Sequence, residues 1–187
     1  NDTTDPTITA PTDLALEACD TDDIVTVASG SSLDYSETLV TITLADYLLE
    51  AGAAADDNCD VDYITYIDVN DGQTCPMTIT RTFTVYDLCG NNTSVVQTIT
   101  INDTTDPTIT APTDLALEAC DTGDISSIAG GSALAYSETL VTITLVDYLL
   151  ETGAAADDNC DVDYITYIDV NDGLTCPMTI TRTFTVY

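Results

Sequence analysis

Acidic and amide side chains gather in three short segments that could bind a metal ion. The segments are 56–60, 87–92 and 102–106, and each is rich in Asp and Asn. Oxygen ligands of this kind suit Ca²⁺, which takes six to eight of them. Strands of alternating direction would bring the first two segments to one pole of a domain, where the third enters. The residues predicted to bind calcium are Asp57, Asp87, Asp103, Asp106 and Asp158.

A plainer explanation for these segments stays open. Asp and Asn are ordinary turn residues, because their side chains bond to nearby backbone groups. No EF-hand loop pattern is present, so the segments could be turns on an acidic surface. Binding of calcium is therefore a hypothesis, and we expect no other cofactor.

Catalysis is poorly supported by the residue types present. The chain has no His and no Lys, and it lacks a Gly-rich phosphate loop. Paired carboxylates alone can cleave glycosidic bonds, but Asp residues in turns are too numerous here to single out a pair. We therefore expect that the protein is not an enzyme.

The charge balance excludes several classes of partner. The chain carries 33 acidic residues against two arginines, giving a formal net charge of −31. Nucleic acids need Lys and Arg to neutralise phosphates, so we expect no nucleic-acid binding. Anionic membrane surfaces are disfavoured for the same reason. No apolar run reaches the length of a membrane span, so membrane insertion is not expected.

The sequence repeats itself at a fixed offset of 101 residues. Residues 1–86 align with 102–187 without a gap, and 76 of these 86 pairs are identical. A period of this size corresponds to a whole domain. We therefore predict one domain at 1–101 and a second at 102–187, whose last strand would lie beyond residue 187. On this basis we expect the chain to be a window on a longer polymer.

Alternating residues predict strands throughout each repeat. In the first repeat we predict strand segments at 6–10 and 14–18, split by Pro11 into one edge strand, and further strands at 38–44, 63–69, 77–86 and 95–101. The sequence Thr43-Leu44-Ala45-Asp46 fits a capping box, which predicts a short helix at about 44–51. About seven strands and almost no helix favour an all-β fold, a β-sandwich with Greek-key connections.

Arg81 and its copy Arg182 are out of place in the strand pattern. Arg81 lies in register with the apolar face of the strand at 77–86. A buried guanidinium needs a carboxylate or several carbonyls as partners. We predict a structural ion pair with Glu17, Glu37 or Glu50, and the alternative is an arginine that binds a ligand.

The cysteines predict disulfides. A zinc or redox site would favour a CxxC spacing, and the sequence contains none. Cys75 and Cys89 flank a strand that would hold them about 30 Å apart, too far for a disulfide. The strand at 62–69 separates Cys59 from Cys75 in the same way. The remaining pairs are Cys19–Cys75 and Cys59–Cys89 in the first repeat, and Cys120–Cys176 in the second.

Three motifs resemble the hyalin-repeat (HYR-like) immunoglobulin-fold domains of large bacterial surface proteins, notably those of Bacteroidota. They are Asp57-Asn58-Cys59, the turn Asp87-Leu88-Cys89-Gly90-Asn91 and the linker Asp103-Thr104-Thr105-Asp106-Pro107. The resemblance extends over the whole repeat and implies tandem extracellular immunoglobulin-like modules that serve adhesion or surface architecture. One departure is Ala10, where the family commonly has a cysteine before the first-strand proline.

These observations lead to an expected function outside the cell. We expect a structural repeat of an extracellular filament or cell-surface stalk, whose partners are further copies of the same repeat in a covalent array or an assembly. The alternative is an adhesin that binds a glycan or protein through its loops. The Asp-Thr-Thr sequence also resembles a short O-glycosylation motif of Bacteroidota, so Thr3 and Thr104 are candidate glycosylation sites.

Overall fold

The structure, a computed structural model, describes residues 2–187. The protein is rich in β-structure, with 37% of residues in strands and 10% in helices, which confirms the predicted predominance of β-structure. The chain folds into two compact units, unit 1 ending at Thr104 and unit 2 beginning at Thr105. This division lies three residues after the end of the first sequence repeat, because residues up to Thr104 are bonded to unit 1.

The described part of unit 1, residues 2–104, contains seven strands, one short α-helix and a 3-10 helix at Thr21–Val25. In chain order they are β1 (Thr7–Thr9), β2 (Leu14–Glu17), β3 (Val40–Ile42), α1 (Leu44–Tyr47), β4 (Ala54–Asp56), β5 (Val61–Asn70), β6 (Met77–Asp87) and β7 (Asn92–Asn102). The five-stranded sheet has the order β2-β7-β6-β5-β3, and β1 pairs with β4 in a separate two-stranded sheet.

The alternation of β6 places its apolar side chains on one face of the larger sheet. Ile79, Phe83 and Val85 are fully buried there. The two-stranded sheet covers part of this face, since Ile8 of β1 and Ala55 of β4 pack against the cluster that contains Phe83. A second cluster lies around Ile79 and Ile99, towards β2. The predicted strand at 77–86 is therefore confirmed as the centre of the core.

The predicted helix is present but shorter than expected. Thr43 accepts a hydrogen bond from the backbone N–H of Asp46, and the Asp46 side chain accepts one from Thr43, which completes the capping box. The helix ends at Tyr47, whose hydroxyl donates to the Thr9 carbonyl at 2.7 Å. This bond ties α1 to β1 across the core.

The first edge strand is not one strand, contrary to expectation. β1 pairs antiparallel with β4, whereas β2 pairs parallel with β7 in the larger sheet. Pro11 lies between them and has no N–H to donate, so the ladder is interrupted where the chain passes from one sheet to the other.

Unit 2 repeats most of these elements. It contains β8 (Thr108–Thr110), β9 (Val141–Ile143), α2 (Leu145–Tyr148), β10 (Ala155–Asp157), β11 (Ile165–Asn171) and β12 (Ile180–Val186), with a 3-10 helix at Thr122–Ser126. Its sheets have the orders β12-β11-β9 and β10-β8. Residues 115–118 have the same sequence as β2 but do not form a strand. None of the helices in residues 2–187 combines the length and apolar character needed to cross a bilayer.

The predicted disulfide pairs are not formed. Cys19 and Cys160 are each disulfide-bonded, and free thiols are found at Cys59, Cys75, Cys89, Cys120 and Cys176. The pair Cys19–Cys75 is therefore wrong. β7 lies between β2 and β6, and strands two positions apart are separated by about 10 Å, more than a disulfide spans.

The pairs Cys59–Cys89 and Cys120–Cys176 are absent for other reasons. The thiol of Cys59 is hydrogen-bonded to the Asp2 carboxylate, although Val61 and Asp87, two residues from Cys59 and Cys89, are paired across β5 and β6. In unit 2 the segment before Cys120 is not in a sheet. No strand register therefore aligns Cys120 with Cys176.

Candidate metal centre

Three chain segments meet at one end of unit 1 and bring three carboxylates together. Because β1 and β4 run antiparallel, Thr7 lies opposite Asp56, so the residues before β1 and those after β4 share this end. Val61, where β5 begins, is paired with Asp87, the last residue of β6. The cluster consists of Asp2, Asp57 and Asp87, with one carboxylate oxygen of each within 4.8 Å of the other two.

Asp87 is the buried member of the cluster, and its own loop holds it in place. Its Oδ1 accepts hydrogen bonds from the backbone N–H groups of Cys89 and Asn91, each at 2.8 Å. Its Oδ2 accepts a third from the Asn91 side chain at 2.7 Å. Burial by itself would raise the pKa of Asp87, but these bonds from Asn91 and Cys89 outweigh it and lower the pKa. Asp87 is therefore kept ionised.

Asp2 is held by the segment that precedes β1 and by the loop after β4. Its carboxylate accepts hydrogen bonds from the Thr4 backbone N–H at 2.9 Å and the Asn58 side chain at 3.1 Å. The bond from Thr4, followed by one from the Cys59 thiol, lowers the pKa of Asp2. The same bond to Asp2 raises the pKa of the Cys59 thiol.

Asp57 provides an oxygen that lacks a partner. Its Oδ2 accepts a hydrogen bond from the Cys59 backbone N–H at 2.8 Å. Its Oδ1 is shielded from solvent and has no hydrogen-bond partner among the described residues. Asp158, the copy of Asp57, also has a shielded Oδ1 without a partner. Buried polar atoms are nearly always paired, so this oxygen is an unsatisfied ligand in both repeats.

The three carboxylates are suited to binding a hard cation, because without one they would repel each other. Two unit charges at this spacing repel by about 1 kcal/mol in water, and by several times more where solvent is excluded. Ca²⁺ binds carboxylate oxygens and completes its coordination with carbonyls and waters. The cluster has no histidine, and its nearest sulfur belongs to a protonated thiol, which does not suit zinc.

The five predicted metal residues have different places in the structure. Asp57 and Asp87 lie in the cluster. Asp158 has the same local setting in unit 2 as Asp57 in unit 1. Asp103 is the sequence copy of Asp2. Asp106 is exposed, like its copy Asp5, and neither belongs to a cluster in the described residues.

Sequence reasoning missed Asp2, although the signal was available. Asp2 and Asp103 occupy the same position of the repeat, 101 residues apart. The prediction of Asp103 as a ligand therefore implied Asp2 as well. Asp2 belongs to the same repeat as Asp57 and Asp87, which were both predicted. The other acidic residue predicted for that linker, Asp106, is exposed, and its role as a calcium ligand stays a prediction.

The segment that leaves unit 1 is also bonded to the body of the unit. Glu17, at the end of β2, accepts hydrogen bonds from the Thr104 backbone N–H at 2.8 Å and the Thr104 hydroxyl at 2.6 Å. The Cys75 thiol donates to the Asn102 side chain at 3.1 Å. The sequence Asn-Asp-Thr is therefore held at the exit by Glu17, just as Asp2 is held at the entry.

Arg81 forms the predicted buried ion pair, but with a different partner. Its guanidinium donates to both oxygens of Asp68, at 2.7 and 2.8 Å. Both side chains are fully buried, and Asp68 is directly opposite Arg81 in the β5–β6 register. The three glutamates proposed from the sequence are not its partners. Alternation along β5 placed Asp68 on the same face as Ile64 and Tyr66, which was the signal missed.

The remaining donors of Arg81 fasten a loop to the sheet. They reach the Ser31 hydroxyl and the carbonyls of Leu33 and Asp34 at 2.9–3.1 Å. Ser31 in turn donates to Glu50, so Glu50 is linked to Arg81 only indirectly. Arg182 makes the corresponding pair with Asp169 but keeps 14% of its side chain exposed. With every donor engaged inside the protein, Arg81 has a structural role.

The two candidate glycosylation residues differ in their surroundings. Both are exposed. The Thr104 hydroxyl donates to Glu17, so a glycan attached there would remove that hydrogen bond. Glycosylation at either residue stays a prediction.

No protein-family model, curated protein or solved structure matches this chain. The resemblance to hyalin-repeat domains therefore rests on the motifs at 57–59, 87–91 and 103–107. Family membership stays a prediction, and the functional proposal depends on the repeat and on the contacts within each unit.

Proposed function

We propose that the chain is a structural repeat of an extracellular filament or cell-surface stalk, built from tandem immunoglobulin-like sandwich domains. The two repeats are 76 of 86 residues identical, and unit 2 repeats five of the six strands from β1 to β6, the exception being β2. Near-identical copies are typical of a polymer, in which each domain has the same mechanical task. A large acidic excess keeps such a polymer soluble and prevents non-specific association.

The observation that carries this proposal is that unit 1 forms hydrogen bonds to the segments at which the chain enters and leaves it. Glu17 holds Thr104 at the exit, and Asn58 holds Asp2 at the entry. Each contact uses the same linker sequence, Asn-Asp-Thr, which begins both repeats. A domain that fixes the linkers on either side restricts bending, which is the property needed in a stalk or filament.

Calcium is proposed as the cation that strengthens the entry contact. Asp2 comes from the linker, whereas Asp57 and Asp87 come from the body of the domain. A cation shared by the three carboxylates would therefore pin the linker to the domain and relieve their repulsion. The unpaired oxygen of Asp57 supports this proposal.

The alternative function is an adhesin that recognises a glycan or protein through its loops. Seven of the ten differences between repeats fall in 22–34, a region of turns where a binding site could vary. A glycan array and a pull-down from host surfaces distinguish the two functions. An adhesin binds a defined ligand, whereas a structural repeat retains none.

Immunogold electron microscopy of cells that produce the protein tests the proposal directly. Antibodies raised against the purified chain are applied to intact cells and to permeabilised cells. We expect regular labelling along extracellular fibres on intact cells. Labelling confined to the interior of permeabilised cells, or diffuse labelling without fibres, would overturn the proposal.

A further inference from the structure

The larger sheet of unit 1 has a second face, which points away from the core. Alternation along β6 sends Thr78, Thr80, Thr82, Thr84 and Tyr86 to this side, opposite the buried apolar residues of the same strand. The outward residues of β5 and of β7 lie beside them in the strand register. These outward side chains of β5, β6 and β7 together form the outer face.

The outer face carries no charged side chain, although the protein is strongly acidic. The chain has 33 acidic residues among 187. The outward positions on β5 from Tyr63, on β6 and on β7 hold only Thr, Ser, Asn, Val, Ile and Tyr. A second molecule of the same charge can therefore approach this face without meeting carboxylates, whereas the acidic excess elsewhere repels it.

Apolar groups near the middle of the outer face are open to solvent. Val69 is 61% exposed and Val96 is 51% exposed, and each lies opposite a threonine of β6. Towards one end Tyr63 and Tyr86 stack with their ring centroids 4.6 Å apart. Sheets pack face to face about 10 Å apart, with side chains of this kind interlocking between them.

The second repeat keeps the residues of the outer face. Residues 61–70 and 77–86 are identical to their copies at 162–171 and 178–187. The tyrosine stack also recurs, with the rings of Tyr164 and Tyr187 4.7 Å apart. Each repeat of an array therefore presents the same uncharged surface on its two copied strands.

The size of the outer face sets the strength of a contact made through it. Its three strands have 10, 11 and 11 residues. They cover about 35 Å by about 14 Å, or about 500 Å². Two such faces would bury about 1,000 Å², which is typical of a weak or transient interface. Many repeats side by side would strengthen the contact through multivalency.

We propose that the outer face binds the outer face of a second copy of the chain, so that neighbouring stalks or filaments associate side by side. Both partners use the same surface, so the contact is isologous and has twofold symmetry. Exposed acidic residues at the two ends of β5, Asp62 and Asp71, oppose the contact, and salt weakens this opposition. The side-by-side role rests on the proposed function, whereas the contact itself does not.

Sedimentation equilibrium of the full 187-residue chain, with a chelator present to exclude any effect of cations, tests the contact. Between about 10 µM and about 1 mM chain we expect reversible association with a dissociation constant of about 0.1–1 mM. Raising the salt from about 0.05 M to about 0.5 M should strengthen it at least about threefold. Association that weakens with salt, or a chain that stays monomeric at about 1 mM, would overturn the proposal.

Amide NMR shifts over the same concentrations locate the contact. The shifts that change with concentration should lie in β5, β6 and β7 and in the copied strands β11 and β12. Changes confined to helices and loops would overturn the proposal, as would a covalent dimer on non-reducing electrophoresis, since the five free thiols are exposed. If dextran, an uncharged polysaccharide, shifts these amides while the chain alone stays monomeric, the occupant is a glycan and the proposal fails.

A pair of double variants separates the outer face from the net charge. Val69→Glu with Val170→Glu places a carboxylate on the face in both repeats and should weaken association at least about tenfold. Val25→Glu with Ser126→Glu adds the same charge at exposed positions in the 3-10 helices and should have little effect. Circular dichroism checks that both variants are folded, and equal weakening in both would overturn the proposal.

The contact and the proposed function can fail separately. Immunogold labelling of extracellular fibres tests the function, and sedimentation tests the contact. Labelled fibres together with a chain that never associates would overturn this inference alone.

Discussion

At the scale of single residues, Arg81 and Asp68 form a buried ion pair within the core of unit 1. They lie between the apolar cluster around Ile79 and the one around Phe83, in the middle of an otherwise apolar face. Arg81 also fastens the loop at Ser31 and Leu33 to the sheet. A planar guanidinium with five donors suits this position, and Lys could not replace it.

Asp68→Asn should destabilise unit 1 strongly. It leaves the Arg81 charge buried without its counter-ion, and loss of one partner of a buried pair typically costs about 3–5 kcal/mol. Urea unfolding measures the loss, and hydrogen exchange in β5 and β6 assigns it to unit 1. The matched variant Asp169→Asn should cost less, because Arg182 is partly exposed. Losses of the same size in both units would contradict this account.

The ionisation of Asp87 gives a pH dependence with a defined sign. Its pKa lies below the ordinary value of 3.8, because the hydrogen bonds from Asn91 and Cys89 outweigh burial. A lowered carboxyl pKa stabilises the folded state above pH 3.8, and this stabilisation is lost as the pH falls through the lowered pKa. NMR titration of the Asp87 carboxyl should give a midpoint below 3.8. A midpoint above 3.8 would show that burial dominates.

At the scale of elements, a long alternation of apolar and polar residues predicts a strand, but it does not predict which strands pair with it. The alternation at 77–86 is sufficient to identify β6 and its buried face. It says nothing about strand order, so the parallel pairing of β2 with β7 and the position of β7 between β2 and β6 were not foreseen. The identical segments 14–17 and 115–118 show why, since the same four residues form a strand only beside β7.

The candidate site could be predicted in part, because strand positions follow from alternation but strand pairing does not. Asp87 directly follows the strand predicted at 77–86, and Asp57 lies in the turn segment before the strand predicted at 63–69, so their place at one pole could be inferred from strands of alternating direction, although β4 itself was not predicted. The contribution of Asp2 depends on the antiparallel pairing of β1 with β4. Short three-residue strands leave too little alternation to predict a pairing.

Gly30 tests the packing of the loop that Arg81 fastens. A Cβ atom at Gly30 would lie 1.9 Å from the Ile24 carbonyl oxygen, so the backbone must move. Gly30→Ala should therefore destabilise unit 1 by about 1–3 kcal/mol. Chemical denaturation provides the measurement. The adjacent exposed change Ser29→Ala should stay within about 0.5 kcal/mol, and an equal effect of the two changes would refute the close approach.

At the scale of the whole molecule, the repeat is a unit that fixes the segments entering and leaving it. Glu17 at the exit and the Asp2 cluster at the entry act on the same linker sequence. The proposed stalk depends on these contacts more than on the strength of any one core. Loss of either contact, at Glu17 or at the Asp2 cluster, should therefore change the behaviour of the linker that it holds.

Glu17→Ala should expose the exit linker to proteolysis. The change removes both hydrogen bonds to Thr104, so residues 102–104 should leave unit 1 more often. Limited digestion followed by mass spectrometry should show faster cleavage within these residues. Glu37→Ala, a change of the same charge at another exposed residue, is the control. Equal cleavage rates in the two variants would mean that Glu17 does not hold the linker.

Thermal melting of the full chain in calcium tests the central claim most directly. With millimolar Ca²⁺, and not with a monovalent salt of equal ionic strength, we expect the melting temperature of unit 1 to rise by about 5–10 °C. Asp57→Asn should abolish most of the rise. Asp22→Asn should retain it, since the second repeat has Gly123 at that position. No rise with calcium, or the same rise in Asp57→Asn, would contradict a cation-pinned linker and leave hydrogen bonds and packing as its only support.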